Sequence, residues 1–462
     1  MFFEPQRLHF AGIGGIGMSG LAEIYHALGC AVTGSDVKLS AITARLERLG
    51  IRVCEGHAAA NLPIDTAALI VTSALRDDNP ELVEARRRGL PVVLRGELLA
   101  DLMSGRTGVA VGGSHGKTTT TSMLACIALE AGLDPTVFIG TLVPFLNGSN
   151  ARLGGDLLIT ECDESDGSFL ELAPAYSIIT NIDREHLDHY GTFENAKQAF
   201  VRFANRVAFR GAAILCVDDP EVCSVLPQIR RRVITYGTSQ AALLQLTDIQ
   251  TGTAGSRFKL TLDGKDLGEF ELNVLGRHNV LNATAAIAAA RELGVPLDQI
   301  RTGLAAYHGT GRRMELKGTE RGITVMDDYG HHPTEVRATL AALRLTQPGR
   351  LVVLFQPHRY TRTKALMSEF ATAFGEADLV RIVDLYEASE SPIEGVNSEV
   401  LADAVRRQGH ANCQFAGSLS QAVDSLAGEL KHGDLVLTLG AGSITQAGPM
   451  LLARLRKESS NG

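Results

Sequence analysis

The 462-residue chain has no tryptophan, and aromatic residues make up only 5% of it. It also lacks a long apolar run. No stretch approaches the ~18 to 20 residues of a membrane-spanning helix, and the start, "MFFEPQRLHF", has no basic segment leading into an apolar one. These absences argue against membrane insertion and for a cytoplasmic protein. Cysteine is sparse and unpatterned: Cys30, Cys54, Cys126, Cys162, Cys216, Cys223 and Cys413 are odd in number and form no C-x-x-C pair. That excludes a disulfide framework and predicts reduced, mostly buried thiols. Basic charge is in deficit, with a formal net charge of -8. Such a field repels nucleic acid, so any polyanion must be held by local loops. No low-complexity tract, like-charge block or fixed-period repeat interrupts the chain.

What is present is ordinary globular composition, 45% hydrophobic and 21% charged, in a chain long enough for two or three domains. Short apolar runs ending in Gly or Asp ("RLHFAG", "CAVTGSD", "AALIVTSA", "LPVVLR") alternate with helical patterns. This is the rhythm of a parallel sheet with covering helices, hence an α/β fold. A new strand-to-loop unit starts after "LMSGRTG", and a third set of strands follows "GTGRRMEL". The limits expected are 1–106, 107–312 and 313–462.

Two glycine-rich loops stand out. In "HFAGIGGIGMSGLAEI", Gly12, Gly14 and Gly17 follow a strand and open a helix in G-x-G-x-x-G order, and Asp36 ends the next strand. Alone, this proposes a dinucleotide. In "VGGSHGKTTTTSML", Gly113, Ser114, His115 and Gly116 form a second loop between strand and helix. Backbone N–H groups there cradle phosphates, Lys117 adds a positive charge, and Thr118 with Thr119 follows at the helix start, Thr118 offering a hydroxyl to Mg²⁺. Val111 stands where the full phosphate-loop pattern has Gly, so the match is the shorter G-x-x-G-K-T-T. This is a nucleoside triphosphate site.

Carboxylates gather in "LLITECDESDGSF": Glu161, Asp163, Glu164 and Asp166 come at a strand's C-terminal end, where open α/β sheets bind ligands and where Mg²⁺ finds oxygen donors. Glu161 is the best placed of the four. "TNIDREHLDHYGTF" brings His186 just past a strand end, as a candidate beside the metal, and His189 reads as surface. A dehydrogenase has no use for an ATP loop. Two phosphate loops instead imply phosphoryl transfer between ATP and a nucleotide-linked substrate, with domain closure joining them. A phosphorylated carboxylate is an acyl phosphate that an amine can attack.

"GGSHGKTTTTSML", "ECDESDGSF", "NIDREHLDHYGTFE", "GRHNVLNATAAIAAA", "GTGRRMEL", "DDYGHHPTEVRATL" and "FQPHRYTRT", together with the first glycine loop and "GSDVKLSAITARLERLGI", occur in the order found in the Mur ligase family. The chain resembles that family from about residue 7 to residue 450, and most closely its L-alanine-adding branch. The resemblance implies three α/β domains: a Rossmann-like domain for a UDP-sugar, a central P-loop ATPase domain, and a Rossmann-like C-terminal domain that recruits the amino acid. It implies ATP- and Mg²⁺-dependent formation of an amide between L-alanine and UDP-N-acetylmuramate, for peptidoglycan precursors. By the same resemblance Gly12, Gly14, Gly15 and Gly17 face the UDP-sugar diphosphate, with Asp36 near the uridine end. Lys117 binds the β- and γ-phosphates. Thr118, Glu161 and His186 ligate metal. Asn279 and Asn282 read adenine, Arg313 and Asp328 reach the nucleotide, and His331, His332, Arg359 and Arg362 serve the amino-acid side. Some family members carry a carbamylated lysine; its expected position here holds Phe200, and Lys197 lies three residues short, so none is expected. The competing readings are a recycling ligase that adds a tripeptide, an NAD oxidoreductase, and a non-catalytic nucleotide switch.

Overall fold

A computed structural model describes residues 6–252 and 255–460. Three sheets carry the chain. The first is five-stranded, in order β3-β2-β1-β4-β5, built from β1 (Arg7–Ala11), β2 (Ala31–Asp36), β3 (Arg52–Glu55), β4 (Ala68–Val71) and β5 (Val92–Leu94). Its pairs are parallel, with Phe10 opposite Gly34 on one side and Ile70 on the other. A parallel sheet covered by helices on both faces needs apolar residues at consecutive positions. β4, "ALIV", is buried throughout.

The second sheet contains β6 (Thr107–Gly112), β7 (Thr136–Phe138), β8 (Ala151–Arg152), β9 (Leu157–Glu161), β10 (Tyr176–Ile179), β11 (Ala212–Cys216), β12 (Val233–Gly237), β13 (Leu244–Gly252), β14 (Gly255–Leu262) and β15 (Lys265–Leu272). Their order is β15-β14-β13-β12-β11-β10-β6-β9-β7-β8. The central strand β6 lies between β10 and β9, parallel to both. In β14 burial alternates along the strand, as expected of a strand with one solvated face. The third sheet has β16 (Glu315–Glu320), β17 (Ile323–Asp328), β18 (Arg350–Phe355), β19 (Leu379–Ile382), β20 (Cys413–Phe415) and β21 (Asp434–Leu439), in order β16-β17-β21-β18-β19-β20. β16 runs antiparallel to β17, and the pairs β17–β21, β18–β21, β18–β19 and β19–β20 are parallel. The α/β class and the three-sheet organisation expected from the strand rhythm are the ones observed.

By its contacts the chain divides into two compact units. The first comprises Met1–Ile249, Arg257–Leu272 and Asn279–His308, and holds the first two sheets. The second comprises Gln250–Ser256, Asn273–His278 and Gly309–Gly462. Within the first unit one apolar core is continuous from Phe10 of β1, through Leu98 and Leu102 of the helix Arg95–Met103, to Phe138, Phe169, Phe200 and Phe203 around the second sheet. That shared core fixes the first glycine loop relative to the second. The loops after β1, β6, β9 and β10 leave the C-terminal ends of parallel strands, where such sheets present their binding surface. All seven cysteines are free and five are buried. Among the described residues no helix is long and apolar enough to cross a membrane.

Candidate active site

The loop Gly113–Gly116 joins β6 to the helix Lys117–Glu130. Two of its glycines are needed for space as well as for backbone angle. Gly113 has φ +122°, and a Cβ there would lie 2.1 Å from Thr180 Oγ1; Gly116 has φ +84°, and its Cβ would lie 2.5 Å from Asn282 Oδ1. The segment after β10 clamps the loop from the other side. His115 N–H donates to Asn181 Oδ1 (2.8 Å), Thr180 Oγ1 donates to His115 O (2.6 Å), and Asp183 N–H donates to Ser114 Oγ (2.8 Å). The loop is thus preorganised before any phosphate arrives.

Lys117 folds back over it. Its Nζ donates to Gly113 O (2.6 Å), Ser114 O (3.1 Å) and Glu164 Oε1 (2.8 Å). Burial works against its charge, but the carboxylates of Glu164, Glu185 and Glu161 outweigh burial and raise its pKa, so it is a cation at neutral pH. Burial likewise pushes the Glu164 carboxyl up, to about 7, against the pull of Lys117. Glu164 Oε2 is buried and makes no hydrogen bond among the described residues. His186 adopts φ +54° at the start of a helical turn, which brings Nε2 to 3.7 Å from Glu164 Oε1 and 3.6 Å from Glu185 Oε2. Glu164, Glu185 and His186 therefore offer three ligand atoms within 4.8 Å of one another. Carboxylate oxygens with one imidazole suit a hard divalent cation such as Mg²⁺, and an orphaned buried oxygen fits that use. Glu161 ends β9 and lies against Gly140, where a Cβ would approach its Oε1 to 1.7 Å. Thr118 is the second residue of the Lys117 helix, followed by buried Thr119.

The first glycine loop is closed by its own neighbours. Gly12 N–H and Ile13 N–H donate to Ser35 O (2.8 and 2.9 Å), and Gly14 N–H donates to Asp36 Oδ2 (2.9 Å). Asp36 thus holds the loop's shape directly. A Cβ at Gly14 would meet Asp36 at 2.9 Å, one at Gly15 would come within 3.4 Å of Gly12 O, and one at Gly17 would meet Arg95 at 3.0 Å. Gly15, Ile16, Gly17 and Met18 line one cavity of about 450 Å³ together with Lys117 and Glu161. The first glycine loop and the lysine that follows the second one thus face the same space. Asn279 and Asn282 share a helical face as their spacing requires: Asn282 Nδ2 donates to Asn279 Oδ1 (3.3 Å), and Asn282 abuts Gly116. His189 is exposed, Phe200 is in the core, and Lys197 pairs with Glu194 and Glu221.

The second unit carries the remaining candidates. Asp328 closes β17 and is buried; it accepts from Met314 N–H and Gly330 N–H (both 2.8 Å), and burial raises its pKa to about 6 despite Arg313. Arg313 lies 3.5 Å from Glu335 and over the Tyr329 ring at 5.3 Å. From Tyr329 a ladder of rings continues through His331 (5.3 Å) and His358 (5.8 Å) to Tyr386 (5.5 Å). Burial, His331 and the arginines 362, 359 and 312 hold the His358 pKa down at about 3, so neutral Nδ1 accepts from Arg362 Nη1 (3.1 Å). Arg359, at φ +68°, precedes the helix Tyr360–Ala365. His332 is 3% exposed and caps the helix Pro333–Arg344, its Nδ1 accepting from Thr334 N–H. The two adjacent histidines therefore have different surroundings, His331 in the ring ladder and His332 in a cap.

Sequence reasoning passed over Asn181, Glu185 and Arg95. Asn181 and Glu185 stand in the quoted "TNIDREH" segment, and a polar residue immediately after a strand was an available signal. Arg95 carries no such signal.

Three family models match the chain: "Mur ligase family, catalytic domain" over residues 7–107, "Mur ligase middle domain" over 111–290 and "Mur ligase, glutamate ligase domain" over 312–442. The UDP-N-acetylmuramate–L-alanine ligase of Solibacter usitatus is 56% identical over 459 residues, 99% of this chain and 97% of that protein. The one of Myxococcus xanthus is 50% identical, covering 97% and 95%. Among solved structures, the UDP-N-acetylmuramate-alanine ligase of Thermotoga maritima superposes with a TM-score of 0.82 at 30% identity, covering 98% of this chain and 99% of that one. A murein peptide ligase of Psychrobacter arcticus gives 0.73 at 25% identity, covering 97% and 98%.

Proposed function

The chain belongs to the Mur ligase family, and on that premise we propose that it joins L-alanine to the lactyl carboxylate of UDP-N-acetylmuramate at the expense of ATP, in peptidoglycan precursor synthesis. The observation that carries this reading is the cavity shared by the glycine loop and Lys117. An NAD enzyme needs only the first loop. A ligase needs both, because a carboxylate oxygen must reach the γ-phosphorus. We assign residues 1–106 to the UDP-sugar, 107–312 to ATP and 313–462 to the amino acid. A cytoplasmic location follows from the ATP requirement and agrees with seven free thiols.

In this mechanism Gly12, Gly14, Gly15 and Gly17 let the backbone approach the diphosphate of the sugar, while Asp36 keeps the loop in shape. Ser114 and His115, whose N–H groups are held by Asn181, shape the loop around ATP, Gly116 and the helix start it opens turn backbone N–H groups toward the phosphates, and Lys117 turns from Glu164 toward the β- and γ-phosphates. Asn279 and Asn282 border the adenine side. Thr118, Glu161 and His186 would hold Mg²⁺ with Glu164 and Glu185 beside them, and the ion would neutralise charge on the transferring phosphoryl group. A lactyl oxygen forms a bond to the γ-phosphorus as the bond to ADP breaks. The neutral α-amine of L-alanine then attacks the carbonyl carbon, and the tetrahedral adduct collapses with loss of phosphate and the amine's proton. In the second unit we assign Arg313 and Asp328 to the nucleotide, and Arg359 with Arg362 to the amino-acid carboxylate. His331, in the ring ladder, faces substrate, whereas His332 shapes its helix.

The test is phosphate release from ATP and Mg²⁺ with UDP-N-acetylmuramate and, in parallel, L-alanine, a tripeptide or no amine. Release that requires both the sugar and L-alanine, and that Lys117→Ala abolishes, is expected. Turnover driven only by the tripeptide would identify a recycling ligase. Release indifferent to the sugar would leave only a nucleotide switch.

A further inference from the structure

Arg95 is the first residue of the helix Arg95–Met103, next to β5, yet its side chain leaves its own sheet. It passes over Gly17, where a Cβ would stand 3.0 Å from Cδ and 3.3 Å from Nη1. Nη2 ends on Asp163 Oδ2 at 2.9 Å, with Asp166 Oδ2 at 4.0 Å. The side chain is only 17% exposed. Among the described residues Asp163 is its one hydrogen-bond partner, so Nε and Nη1 are spare donors on a guanidinium that lines the cavity of Gly15–Met18. Around this contact the two segments are closely fitted. Ser73 Oγ donates to Asp166 Oδ2 (3.0 Å), and a Cβ at Gly96 would press on Ser168 Cβ at 2.5 Å.

The carboxylate next in sequence, Glu164, is the one that holds Lys117. One turn of chain therefore ties a cation of the glycine-loop cavity, through Asp163, to the cation of the phosphate loop, through Glu164. A planar guanidinium prefers a bidentate phosphate or carboxylate to a single carboxylate contact. An anion entering beside Gly17 meets the spare Nη1 and competes with Asp163 for the whole fork.

We propose that Arg95 is a positioning residue that exchanges Asp163 for an anion of the nucleotide-sugar, and thereby couples occupation of the sugar cavity to the acidic turn that restrains Lys117. The proposal rests on the substrate assignment above and adds the coupling. It gives the two ends of the contact opposite effects. Removing the guanidinium weakens sugar binding, whereas removing the charge of Asp163 frees the guanidinium and strengthens it.

The experiment is calorimetric binding of UDP, of UDP-N-acetylmuramate, and of a non-hydrolysable ATP analogue with and without the sugar. The proteins are wild type, Arg95→Ala, Arg95→Lys and Asp163→Asn, each checked by thermal melting. Arg95→Ala should weaken sugar binding on the order of tenfold or more. Arg95→Lys should restore part of the loss, and Asp163→Asn should tighten binding about threefold or more. The gain in analogue affinity that the sugar produces in wild type should disappear in Arg95→Ala. Equal losses for UDP and for the full sugar identify the diphosphate as the anion read; a loss confined to the full sugar identifies the lactyl carboxylate. The proposal is overturned if Asp163→Asn weakens sugar binding as Arg95→Ala does, or if the sugar improves analogue affinity equally in wild type and Arg95→Ala. Amide formation by wild type under the same conditions separates this failure from failure of the ligase assignment.

Discussion

At Gly116, φ of +84° and the 2.5 Å approach of Asn282 to a would-be Cβ act together. An alanine there meets both backbone strain, about 1 kcal/mol or more, and a clash with the Asn282 amide of the helix Arg277–Glu292. Gly116→Ala is expected to lower ATP-dependent phosphate release at least about tenfold, since a misplacement near 1 Å is enough for such losses. Steady-state turnover checks it, and undiminished turnover would mean that the loop has slack the geometry denies. Such glycines were legible in the sequence because strand, loop and helix leave few roles for G-x-x-G-K-T-T. The partners were not. Lys117 meets Glu164 from 47 residues away and Arg95 meets Asp163 from 68. Four carboxylates in one short turn look alike until the chain has folded around them. Glu161, singled out from its position at the strand end, does end β9 in the cavity, but the carboxylate on Lys117 is Glu164.

At the scale of elements, the helix Pro80–Arg87 brings Glu81 into the first sheet with no exposure at all. Ser35 Oγ donates to it at 2.6 Å, Asn61 Nδ2 at 2.8 Å, and His9 Nε2 and His57 Nδ1 stand 3.5 Å away. Burial opposes its charge, but His9, Ser35 and Asn61 prevail and hold its pKa at about 2. A folded-state pKa below the ordinary value of 4.5 means stability that is complete above about 4.5 and is lost as pH falls toward 2. Glu81→Gln should therefore cost roughly 3 kcal/mol at neutral pH, with the difference from wild type shrinking across that acid window. Urea unfolding at pH 7 and pH 3 measures it; a difference independent of pH would contradict the assignment. A second element-scale contact joins the first two sheets. Asn150 Nδ2 donates to Ile16 O (2.8 Å) and Ile139 O (3.0 Å), beneath a glycine, Gly20, whose Cβ would meet it at 2.6 Å. Asn150→Leu should destabilise by about 1 to 3 kcal/mol through unsatisfied carbonyls and overpacking, read as a lower melting temperature; an unchanged melting temperature would refute the role. The strands were legible because parallel sheets demand runs such as "ALIV". This buried polar cluster was not, since His9, Ser35 and Glu81 belong to three different elements and each reads alone as a surface residue.

For the whole molecule, the decisive feature is that two glycine-rich segments, each familiar by itself, meet at one cavity, the first through Gly15–Met18 and the second through Lys117. Sequence order alone suggested that they cooperate, through phosphoryl transfer; that they share a space follows from the continuous core beneath the first two sheets. The central claim is that the lactyl carboxylate is activated as an acyl phosphate. The measurement that tests it most directly uses UDP-N-acetylmuramate labelled with ¹⁸O in that carboxylate, with ATP, Mg²⁺ and L-alanine, and reads the released phosphate by mass spectrometry. One labelled oxygen should pass into each phosphate released, because the carboxylate oxygen that bonds to phosphorus leaves with it. Unlabelled phosphate accompanying full amide formation would contradict the account.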